Sequence, residues 1–551
     1  MEKDIFTFIV GGKAGEGVRK AGSAVSQIFI NRERDVFQMD DYMSLIRGGH
    51  NFSVVSTRKN TIYSQYLSAD LIVNFDERSY KNHISHLADG GIIVYNSDEI
   101  DGDIGIGVPL TSEAKKFASK TLLYGVGAVA ILACSIGTSK NDLNELIKQE
   151  YPSGINDNLA YSNKIYDLVY PNLWNKFNIE KGTKKKPLLY GNYAIALGAL
   201  AGGLDVYYGY PMTPSSSILH YLAALAEKFG LAVVHPESEI AVINMAIGSA
   251  YTGARTMVGT SGGGFALMTE GISLAGMVEA PILCVLSTRP APATGVPTYT
   301  EQGDLYFALN AGHGEFLRIV ASPGTIEEAY YLAAELLDLA WKFQTPSILL
   351  TDMHLSDSAM TIDLDLDKTK WSEPEVSKES TYKRYVDTET GISPMLFPPS
   401  KEVVRWNSHE HDELGITTEE PTAVSLMHNK RIKKIQAIKN ILRNRKTINV
   451  YGDKGLIIFT YGSSTMSVLE AINYGQIEAV VIQPIYLNPL PVWELEKYKN
   501  KKAIVVEQSS IGQFSNLLKE QAGLSFEKVI KQYNGRPFDP IELSNKIREV
   551  L

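Results

Sequence analysis

Residues 203–230, GLDVYYGYPMTPSSSILHYLAALAEKFG, carry the pattern that decides the fold. The start, GLDVYYGY, predicts a strand, and SSSILHYLAALAEKFG has apolar residues at helical spacing. Serines begin this helix and Gly230 ends it, as is typical of helix boundaries. The stretch therefore predicts a strand, a loop stiffened by two prolines, and a helix.

The same alternation of strand and helix recurs throughout the 551 residues. Apolar strands such as APILCVLSTR (280–289) and KKAIVVEQSS (501–510) are separated by helical segments such as TIEEAYYLAAELLDLAWKFQ (325–344). Near-continuous Val, Ile and Leu strands joined by helices are typical of parallel sheets covered on both faces. The sequence therefore predicts an α/β protein with three Rossmann-like domains, each built on a parallel sheet.

Two shifts in composition divide the chain. The first is the charged stretch EKGTKKKP (180–187), and the second is a broad polar region at about 355–446. A chain of this length also exceeds what one hydrophobic core supports. The predicted divisions are domains at 1–180, 187–355 and 447–551, with a linker region at 356–446.

The linker region holds two stretches with unusual composition. The basic stretch KRIKKIQAIKNILRNRK (430–446) predicts an amphipathic connecting helix, with nucleic-acid binding as the alternative. The apolar residues at helical spacing are Ile432, Ile435, Ile438 and Leu442. The segment HEHDE (409–413) has the composition of a metal site, but we expect it to make structural or interface contacts.

Composition also narrows the classes of function. The formal net charge of −9 argues against nucleic acid or an anionic membrane as the main partner. The two cysteines, Cys134 and Cys284, are too few for an iron–sulfur cluster or a zinc site. The sequence shows neither a signal peptide nor an apolar run suited to cross a bilayer. We therefore expect a cytoplasmic protein without a membrane partner.

The loop inside the quoted stretch displays one hydroxyl group. Pro211 and Pro214 fix their own φ angles and push the preceding residues, Tyr210 and Thr213, into an extended conformation. The hydroxyl of Thr213 is then held at a helix N-terminus, where anions are favoured. A rigid turn with a helix cap explains the same residues, so both interpretations stay open here.

Three later loops carry further chemistry, and in parallel sheets such loops lie together at one edge. Glu239 begins a helix, where a carboxylate is either a ligand or a partner of the helix dipole. Gly262–Gly264 allow a ligand to approach the backbone closely. Arg289 suits bidentate capture of a carboxylate or phosphate, although a surface salt bridge is its commoner role. These loops are therefore where we expect a ligand site.

Together these loops resemble one known family. The segments that carry the resemblance are YPMTPSS (210–216), SEIAVINMAIGSAYTGAR (238–255), TSGGGFALMTEG (260–271) and RPAPATGVPT (289–298). They resemble the alpha subunit of 2-oxoacid:ferredoxin oxidoreductases. Roughly the first 180 residues resemble that family's gamma domain, through GGKAGEGV (11–18) and SLIRGGHNFSVV (44–55). The resemblance thus implies a gamma-type domain, a domain that binds the pyrimidine of thiamine diphosphate, and a transketolase C-terminal-like domain.

The family's chemistry, as the resemblance implies it, is the oxidative decarboxylation of a 2-oxoacid on thiamine diphosphate. Coenzyme A takes the acyl group, and electrons leave through iron–sulfur clusters to ferredoxin. The implied catalytic residues are Glu239, Thr213 and Arg289. Glu239 would hydrogen-bond N1′ of the aminopyrimidine, Arg289 would hold the substrate carboxylate, and Thr213 would steady the ketone side. Glu237 is a nearby competitor whose position matches less well.

The resemblance implies further site residues. Those that would bind substrate are Thr213, Arg289, Thr298, Tyr210 and Thr294. Those that would bind the cofactor are Glu239, Pro211, Gly262, Gly263 and Gly264. Those of the gamma domain that would help to bind coenzyme A are Arg47, Gly48 and Lys120. No metal ligand is expected on this chain.

Two hallmarks of thiamine-dependent oxidoreductases are missing from the sequence. The diphosphate and Mg²⁺ are held by a GDG motif followed by asparagine, whereas GDKG (452–455) lacks the second half. There is also no CxxC pair for a cluster. The chain therefore looks like half of an active site. The other half, with Mg²⁺, the diphosphate pocket and a [4Fe–4S] cluster, would lie on a beta subunit, so that the pocket forms at the interface of a heterodimer.

Other functions stay open at this point. One alternative is a transketolase-like or lipoate-linked 2-oxoacid dehydrogenase component, which the fused gamma-type block argues against. Another is a non-catalytic subunit that only scaffolds its partner. The preferred 2-oxoacid is also open: pyruvate, 2-oxoglutarate or both would fit, and Met212 would help to shape the side-chain pocket.

Overall fold

The computed structural model describes residues 4–43, 49–117, 123–369, 371–379 and 381–551. The chain divides into two compact units. The first contains the residues up to Leu189 and two short later segments, Asp357–Asp363 and Asp539–Glu542. The second contains Tyr190–Ser356, Leu364–Phe538 and Leu543–Leu551.

The strands and helices are numbered in chain order. The strands are β1 (Phe6–Lys13), β2 (Asp35–Asp41), β3 (His50–Arg58), β4 (Ala69–Asn74), β5 (Leu87–Asn96), β6 (Ile106–Val108), β7 (Leu188–Tyr190), β8 (Val206–Tyr208), β9 (Ala232–Val234), β10 (Thr256–Thr260), β11 (Ile282–Thr288), β12 (Ile319–Ala321), β13 (Pro346–Asp352), β14 (Ala359–Thr361), β15 (Ile448–Tyr451), β16 (Leu456–Phe459), β17 (Ala479–Pro484), β18 (Tyr486–Asn488), β19 (Ala503–Glu507) and β20 (Lys528–Lys531). The helices are α1 (Val18–Asn31), α2 (Glu77–His83), α3 (Leu110–Ala114), α4 (Leu123–Ser135), α5 (Lys140–Glu150), α6 (Ile155–Leu173), α7 (Gly191–Ala201), α8 (Ser216–Phe229), α9 (Glu239–Tyr251), α10 (Gly262–Met277), α11 (Leu305–Leu309), α12 (Ile326–Phe343), α13 (Met353–Asp357), α14 (Pro421–Leu442), α15 (Ser464–Gly475), α16 (Val492–Leu495), α17 (Gln513–Ala522) and α18 (Pro540–Arg548).

The sheet of the first unit is mixed. Within the described residues its strand order is β6-β5-β4-β1-β3-β2-β14-β7. β6, β5, β4 and β1 run parallel, whereas β3 is antiparallel to both β1 and β2. Only residues 42–49 separate β2 from β3, and a parallel pairing would need a crossover of about a dozen residues or more. The predicted parallel arrangement is therefore confined to one half of this sheet.

The core of the first unit surrounds an apolar helix. Every residue of α4 is buried, and its sequence LYGVGAVAILACS is apolar on all sides. Such a helix needs neighbours all round, and α4 packs against α1 and α6. None of the helices in the described ranges is long and apolar enough to span a bilayer.

The second unit contains the sheet that positions the candidate site, which we call the middle sheet. Among the described residues its strand order is β18-β12-β13-β11-β10-β8-β9. The strands from β12 to β9 are parallel, as predicted. β18 pairs with β12 in the antiparallel direction, although it follows residue 447 in the chain. The last part of the chain thus contributes an edge strand to the middle sheet.

A second sheet lies in the same unit. Its order in the described chain is β15-β17-β16-β19-β20, and only β15 runs antiparallel to its neighbour. Buried polar contacts join it to the first sheet of the unit: Gln302 Nε2 donates to Asp352 and to the Tyr461 carbonyl, both at 3.1 Å. The strand predicted in KKAIVVEQSS corresponds to β19.

The connecting helix predicted from the basic stretch exists as part of α14, but its packing face differs from the prediction. Ile438 is buried as expected, whereas Ile432 is 41% exposed. Lys430 and Lys434 are buried instead, and each donates to the buried carboxylate of Glu279 at 2.7 Å. A buried carboxylate with two lysine partners thus decides which side of the helix faces inward.

The segment HEHDE makes structural contacts. Glu410 accepts hydrogen bonds from both terminal nitrogens of Arg431 at 3.0 and 2.6 Å. His411 is fully buried, and its ring centroid lies 3.9 Å from that of Tyr385. Glu413 pairs with Lys383 at 2.8 Å. These contacts hold the linker region in place, as the structural interpretation expects.

Candidate active site

Four loops meet at the carboxyl edge of the middle sheet. The neighbouring parallel strands β11, β10, β8 and β9 end at residues 288, 260, 208 and 234, and each is followed by one of the loops singled out from the sequence. Parallel neighbours end at the same edge, so the loops lie side by side there. The predicted juxtaposition of these loops is therefore present in the fold.

Glu239 is a buried carboxyl group with an unused oxygen. It is the first residue of α9, and the hydroxyl of Ser238 caps the helix by accepting from the Ala241 N–H at 3.4 Å. Glu239 is only 3% exposed, and its Oε1 has no hydrogen-bond partner among the described residues. Leaving a buried polar group unpaired costs about 1–3 kcal/mol, so such a group points to a ligand.

The competing carboxyl group, Glu237, lies on the surface. Its side chain is exposed, two residues before the buried Glu239. A solvated carboxylate cannot offer the strong, water-excluded hydrogen bond that a buried one provides. The geometry therefore favours Glu239 over Glu237 as the ligand-binding group.

The three glycines at the start of α10 differ in what surrounds them. A Cβ atom on Gly264 would lie 2.8 Å from Cδ of Glu239 and also clash with the Thr260 hydroxyl. A Cβ atom on Gly262 would lie 2.5 Å from Oδ2 of Asp304. On Gly263 the nearest atom would be Sδ of Met212, at 4.0 Å. Two glycines thus admit carboxyl groups against the first turn of the helix, and the third leaves an open surface between them.

Arg289 links two of the loops. Its guanidinium donates to the backbone carbonyl of Thr213 at 2.6 Å. Burial lowers the pKa of Arg289, and the nearby Asp304 acts in the opposite direction. The side chain is half-buried, so it holds the loop after β8 while remaining accessible to an anion. Arg289 thus contacts the backbone carbonyl of Thr213, and not the Thr213 hydroxyl for which the sequence predicts a role in ligand binding.

The remaining residues of these loops differ in burial. Thr298 is 7% exposed, and its hydroxyl has no partner among the described residues. Thr294, Pro211 and Tyr210 are exposed, and the ring of Tyr210 meets that of His235 at a centroid distance of 5.8 Å. Thr298 is thus buried with an unused hydroxyl group, whereas the other three residues are exposed.

Asp304 belongs to this site and was missed by the sequence analysis. It directly precedes α11, and its Oδ2 is buried without a hydrogen-bond partner in the described part of the chain. Burial raises the pKa of Asp304 to about 6, with Arg289 opposing the shift. The only signal in the sequence is an aspartate at the end of the long loop after β11, a position typical of an ordinary helix cap.

Three residues expected to contact coenzyme A, Arg47, Gly48 and Lys120, lie outside the described residues. The other stretch of the gamma-type resemblance, GGKAGEGV, is described: it connects β1 to α1 and places Gly15 and Gly17 in the left-handed backbone region. A tight turn into a helix N-terminus explains these glycines.

The residues present fit the pyrimidine side of thiamine diphosphate. An unpartnered carboxyl oxygen on Glu239 suits a hydrogen bond to a ring nitrogen, and the open backbone at Gly263 suits a flat group. No group of three or more His, Cys, Asp or Glu side chains in the described ranges is arranged to hold a metal ion. Cys134 and Cys284 are both buried, and burial raises the pKa of each thiol to about 12, which disfavours the thiolate that binds metal.

Two family models match the chain. The model of pyruvate flavodoxin/ferredoxin oxidoreductases described as thiamine diphosphate-binding matches residues 197–429, which include all four loops of the site. The model of pyruvate ferredoxin/flavodoxin oxidoreductases matches residues 7–168 in the first unit.

Individual relatives agree with these models. The alpha subunit of the 2-oxoacid:ferredoxin oxidoreductase of Sulfolobus sp is 29% identical over 99% of this chain and 97% of its own length. The KorA subunit of the 2-oxoglutarate synthase of Archaeoglobus fulgidus is 41% identical over 30% of this chain and 48% of its own. A structure of the 2-oxoglutarate:ferredoxin oxidoreductase from Magnetococcus marinus with 2-oxoglutarate, coenzyme A and succinyl-CoA bound superposes with a TM-score of 0.90, at 28% identity over 100% of both chains.

The match thus extends over the whole length, in sequence and in fold, and includes the loops that hold Glu239 and Arg289. The chain belongs to the family of 2-oxoacid:ferredoxin oxidoreductase alpha subunits.

Proposed function

We propose that this chain is the catalytic alpha subunit of an enzyme that oxidatively decarboxylates a 2-oxoacid, transfers the acyl group to coenzyme A and passes the electrons to ferredoxin. Of the two 2-oxoacids left open by the sequence, 2-oxoglutarate is favoured. This preference rests on the Magnetococcus marinus enzyme, which is similar along the whole chain and was solved with 2-oxoglutarate and succinyl-CoA bound.

The observation that carries the proposal is the unpartnered Oε1 of Glu239, buried at the carboxyl edge of the sheet. In this proposal Glu239 holds the aminopyrimidine of thiamine diphosphate by a hydrogen bond to a ring nitrogen. Thiamine diphosphate, when bound, supplies the carbanion chemistry that releases CO₂ from a 2-oxoacid. Gly264 allows the carboxyl group to lie against α10, because any larger residue there would displace it.

Arg289 and its neighbours bind and orient the substrate. The guanidinium is fixed by the Thr213 carbonyl and retains donors that suit a carboxylate. The buried hydroxyl of Thr298 lies in the same loop and has a free hydrogen-bonding capacity among the described residues. These groups orient the 2-oxoacid and exclude water from it. Because the substrate is held in the geometry in which it reacts, the entropic part of the reaction barrier is lowered. Thr213, Tyr210 and Thr294 contribute at the outer side of the same pocket.

A beta subunit completes the site in this proposal. Exposed apolar side chains lie on the outer faces of the two helices that begin at the site: Ile240 and Met245 on α9, and Leu267 on α10, are 52%, 44% and 50% exposed. Exposed apolar side chains beside the site are the kind of surface that a partner protein would cover. The partner would cover these side chains and bring Mg²⁺, the diphosphate pocket and the [4Fe–4S] cluster.

Two further parts of the proposal rest on the family resemblance. The pyrimidine-binding domain would occupy residues 187–355, between the gamma-type domain at 1–180 and, after the linker region, the transketolase-like domain at 447–551. Coenzyme A would contact Arg47, Gly48 and Lys120 of the gamma-type domain.

The experiment that tests the proposed function is reconstitution with the beta subunit. The complex should reduce ferredoxin only when thiamine diphosphate, coenzyme A and a 2-oxoacid are all present, with 2-oxoglutarate turned over faster than pyruvate. Lipoate-linked acyl transfer without ferredoxin reduction would support the dehydrogenase alternative instead. An assembled complex without any activity toward 2-oxoacids would support the scaffold alternative.

A further inference from the structure

Asp304 is a half-buried aspartate before a helix, and it lacks the usual structural explanation for that position. It occupies the cap position of α11, yet its side chain makes no capping hydrogen bond. Its Oδ2 has no partner among the described residues and lies against Gly262, where a Cβ atom would approach it to 2.5 Å. A carboxyl oxygen that is buried and unused requires a further explanation.

The charged neighbour of Asp304 is Arg289, the anion-binding group of the proposed function. Arg289 and Asp304 act on each other's pKa in the directions expected of opposite charges. Burial, with Asp304 as a second cause, raises the pKa of Glu301 in the same loop. Tyr461, whose pKa lies well above its ordinary value chiefly because it is buried, also senses the charge of Asp304. Of the three glycines at the start of α10, Gly262 lies against Asp304.

We propose that Asp304 is a positioning residue that couples capture of an anionic 2-oxoacid at Arg289 to the uptake of one proton. This inference rests on the proposed function and deepens it. An ionised Asp304 offsets the positive potential that Arg289 presents, whereas a protonated Asp304 leaves that potential available to a substrate carboxylate. Substrate and proton therefore bind together.

The sign of the effect follows from linkage. The free site holds Asp304 with a pKa of about 6, and a bound anion raises that pKa further, since two like charges oppose each other. Above pH 6 the site must take up a proton in order to bind. Affinity for the 2-oxoacid then falls by up to about tenfold per pH unit until the pKa of the bound state is reached. Decarboxylation removes the carboxylate that binds at Arg289, and the need for the bound proton ends with it.

The test is calorimetry on the reconstituted complex with two unreactive probes, oxamate and oxalylglycine, which replace pyruvate and 2-oxoglutarate. Titrations in two buffers of different ionisation enthalpy give the number of protons bound with the probe. The wild-type complex should take up between about half a proton and one proton per site at pH 7. In the Asp304→Asn variant the uptake should fall to near zero, and affinity at pH 8 should rise toward its value at pH 6.

Glu301→Gln is the matched control, because Glu301 is the neighbouring carboxyl group with a raised pKa. It should retain the proton uptake. An unchanged uptake in Asp304→Asn, or its loss in Glu301→Gln, would overturn the inference. If the asparagine variant does not assemble, Asp304→Ser provides the same measurement. A wild-type complex that is inactive with every 2-oxoacid would contradict the proposed function. An active complex without proton uptake would contradict only the inference about Asp304, so the two failures are distinguishable.

Discussion

Replacing Glu239 by glutamine should lower activity by at least about 100-fold and at the same time leave the protein as stable as before or more so. Glu239 is only 3% exposed, and its Oε1 has no partner in the described part of the chain. Glutamine keeps the volume and removes the ionisable group. The change therefore separates a ligand-binding role, which it damages, from a packing role, which it preserves.

The structure sets the size of both effects. Burying an ionisable carboxyl group costs more than burying a neutral amide of the same size, so Glu239→Gln should stabilise the cofactor-free protein by about 1 kcal/mol or leave it unchanged. Loss of a positioned acid–base group slows a reaction by about 10²–10⁴-fold, or about 3–5 kcal/mol in the barrier. Replacement of an active-site residue commonly raises the stability of the protein and lowers its activity in this way.

The assay compares Glu239→Gln with Glu237→Gln in the reconstituted complex. Thermal midpoints of the cofactor-free complexes and rates of 2-oxoacid-dependent ferredoxin reduction are measured side by side. The exposed Glu237 should tolerate the change, with stability altered by less than about 0.5 kcal/mol. Retention of more than about a tenth of the wild-type rate by Glu239→Gln would refute the assigned role. So would an equal loss in both variants.

Two other substitutions test neighbouring parts of the structure. Gly264→Ala should place a methyl group 2.8 Å from Cδ of Glu239. The resulting shift of the carboxyl group by about 1 Å should weaken thiamine diphosphate binding and lower the rate by about 100-fold. Equilibrium dialysis with the cofactor measures the affinity, and an unchanged affinity would contradict the placement of Glu239 against Gly264 in the cofactor site. Glu279→Gln should destabilise the chain by about 3–5 kcal/mol in urea unfolding, since it leaves Lys430 and Lys434 buried without their shared anion. Lys434→Met should cost at most about half as much, because Lys430 still pairs with Glu279. A loss below about 1 kcal/mol in Glu279→Gln would show that the cluster does not hold α14.

The sequence predicted the elements of the site because their local patterns are strong. The apolar strands before each loop, the prolines around Thr213 and the helix that begins at Glu239 are all encoded within about ten residues of each position. Parallel strands then bring their loops to one edge, which follows from topology alone.

Features that depend on distant partners could not be predicted in this way. Lys430 and Lys434 are buried because Glu279, about 150 residues earlier in the chain, supplies the countercharge. β18 joins the middle sheet through pairing with β12, far away in sequence. Asp304 resembles an ordinary helix cap until the structure shows that it makes no capping bond.

The central claim is that the unpartnered carboxyl oxygen of Glu239 binds the pyrimidine of a cofactor shared with another subunit. A structure of the reconstituted complex with thiamine diphosphate tests it most directly. The proposed function predicts that Oε1 of Glu239 lies within hydrogen-bonding distance of a ring nitrogen of the aminopyrimidine, with the diphosphate and Mg²⁺ on the partner. Cofactor bound elsewhere, with Oε1 still lacking a partner, would contradict it.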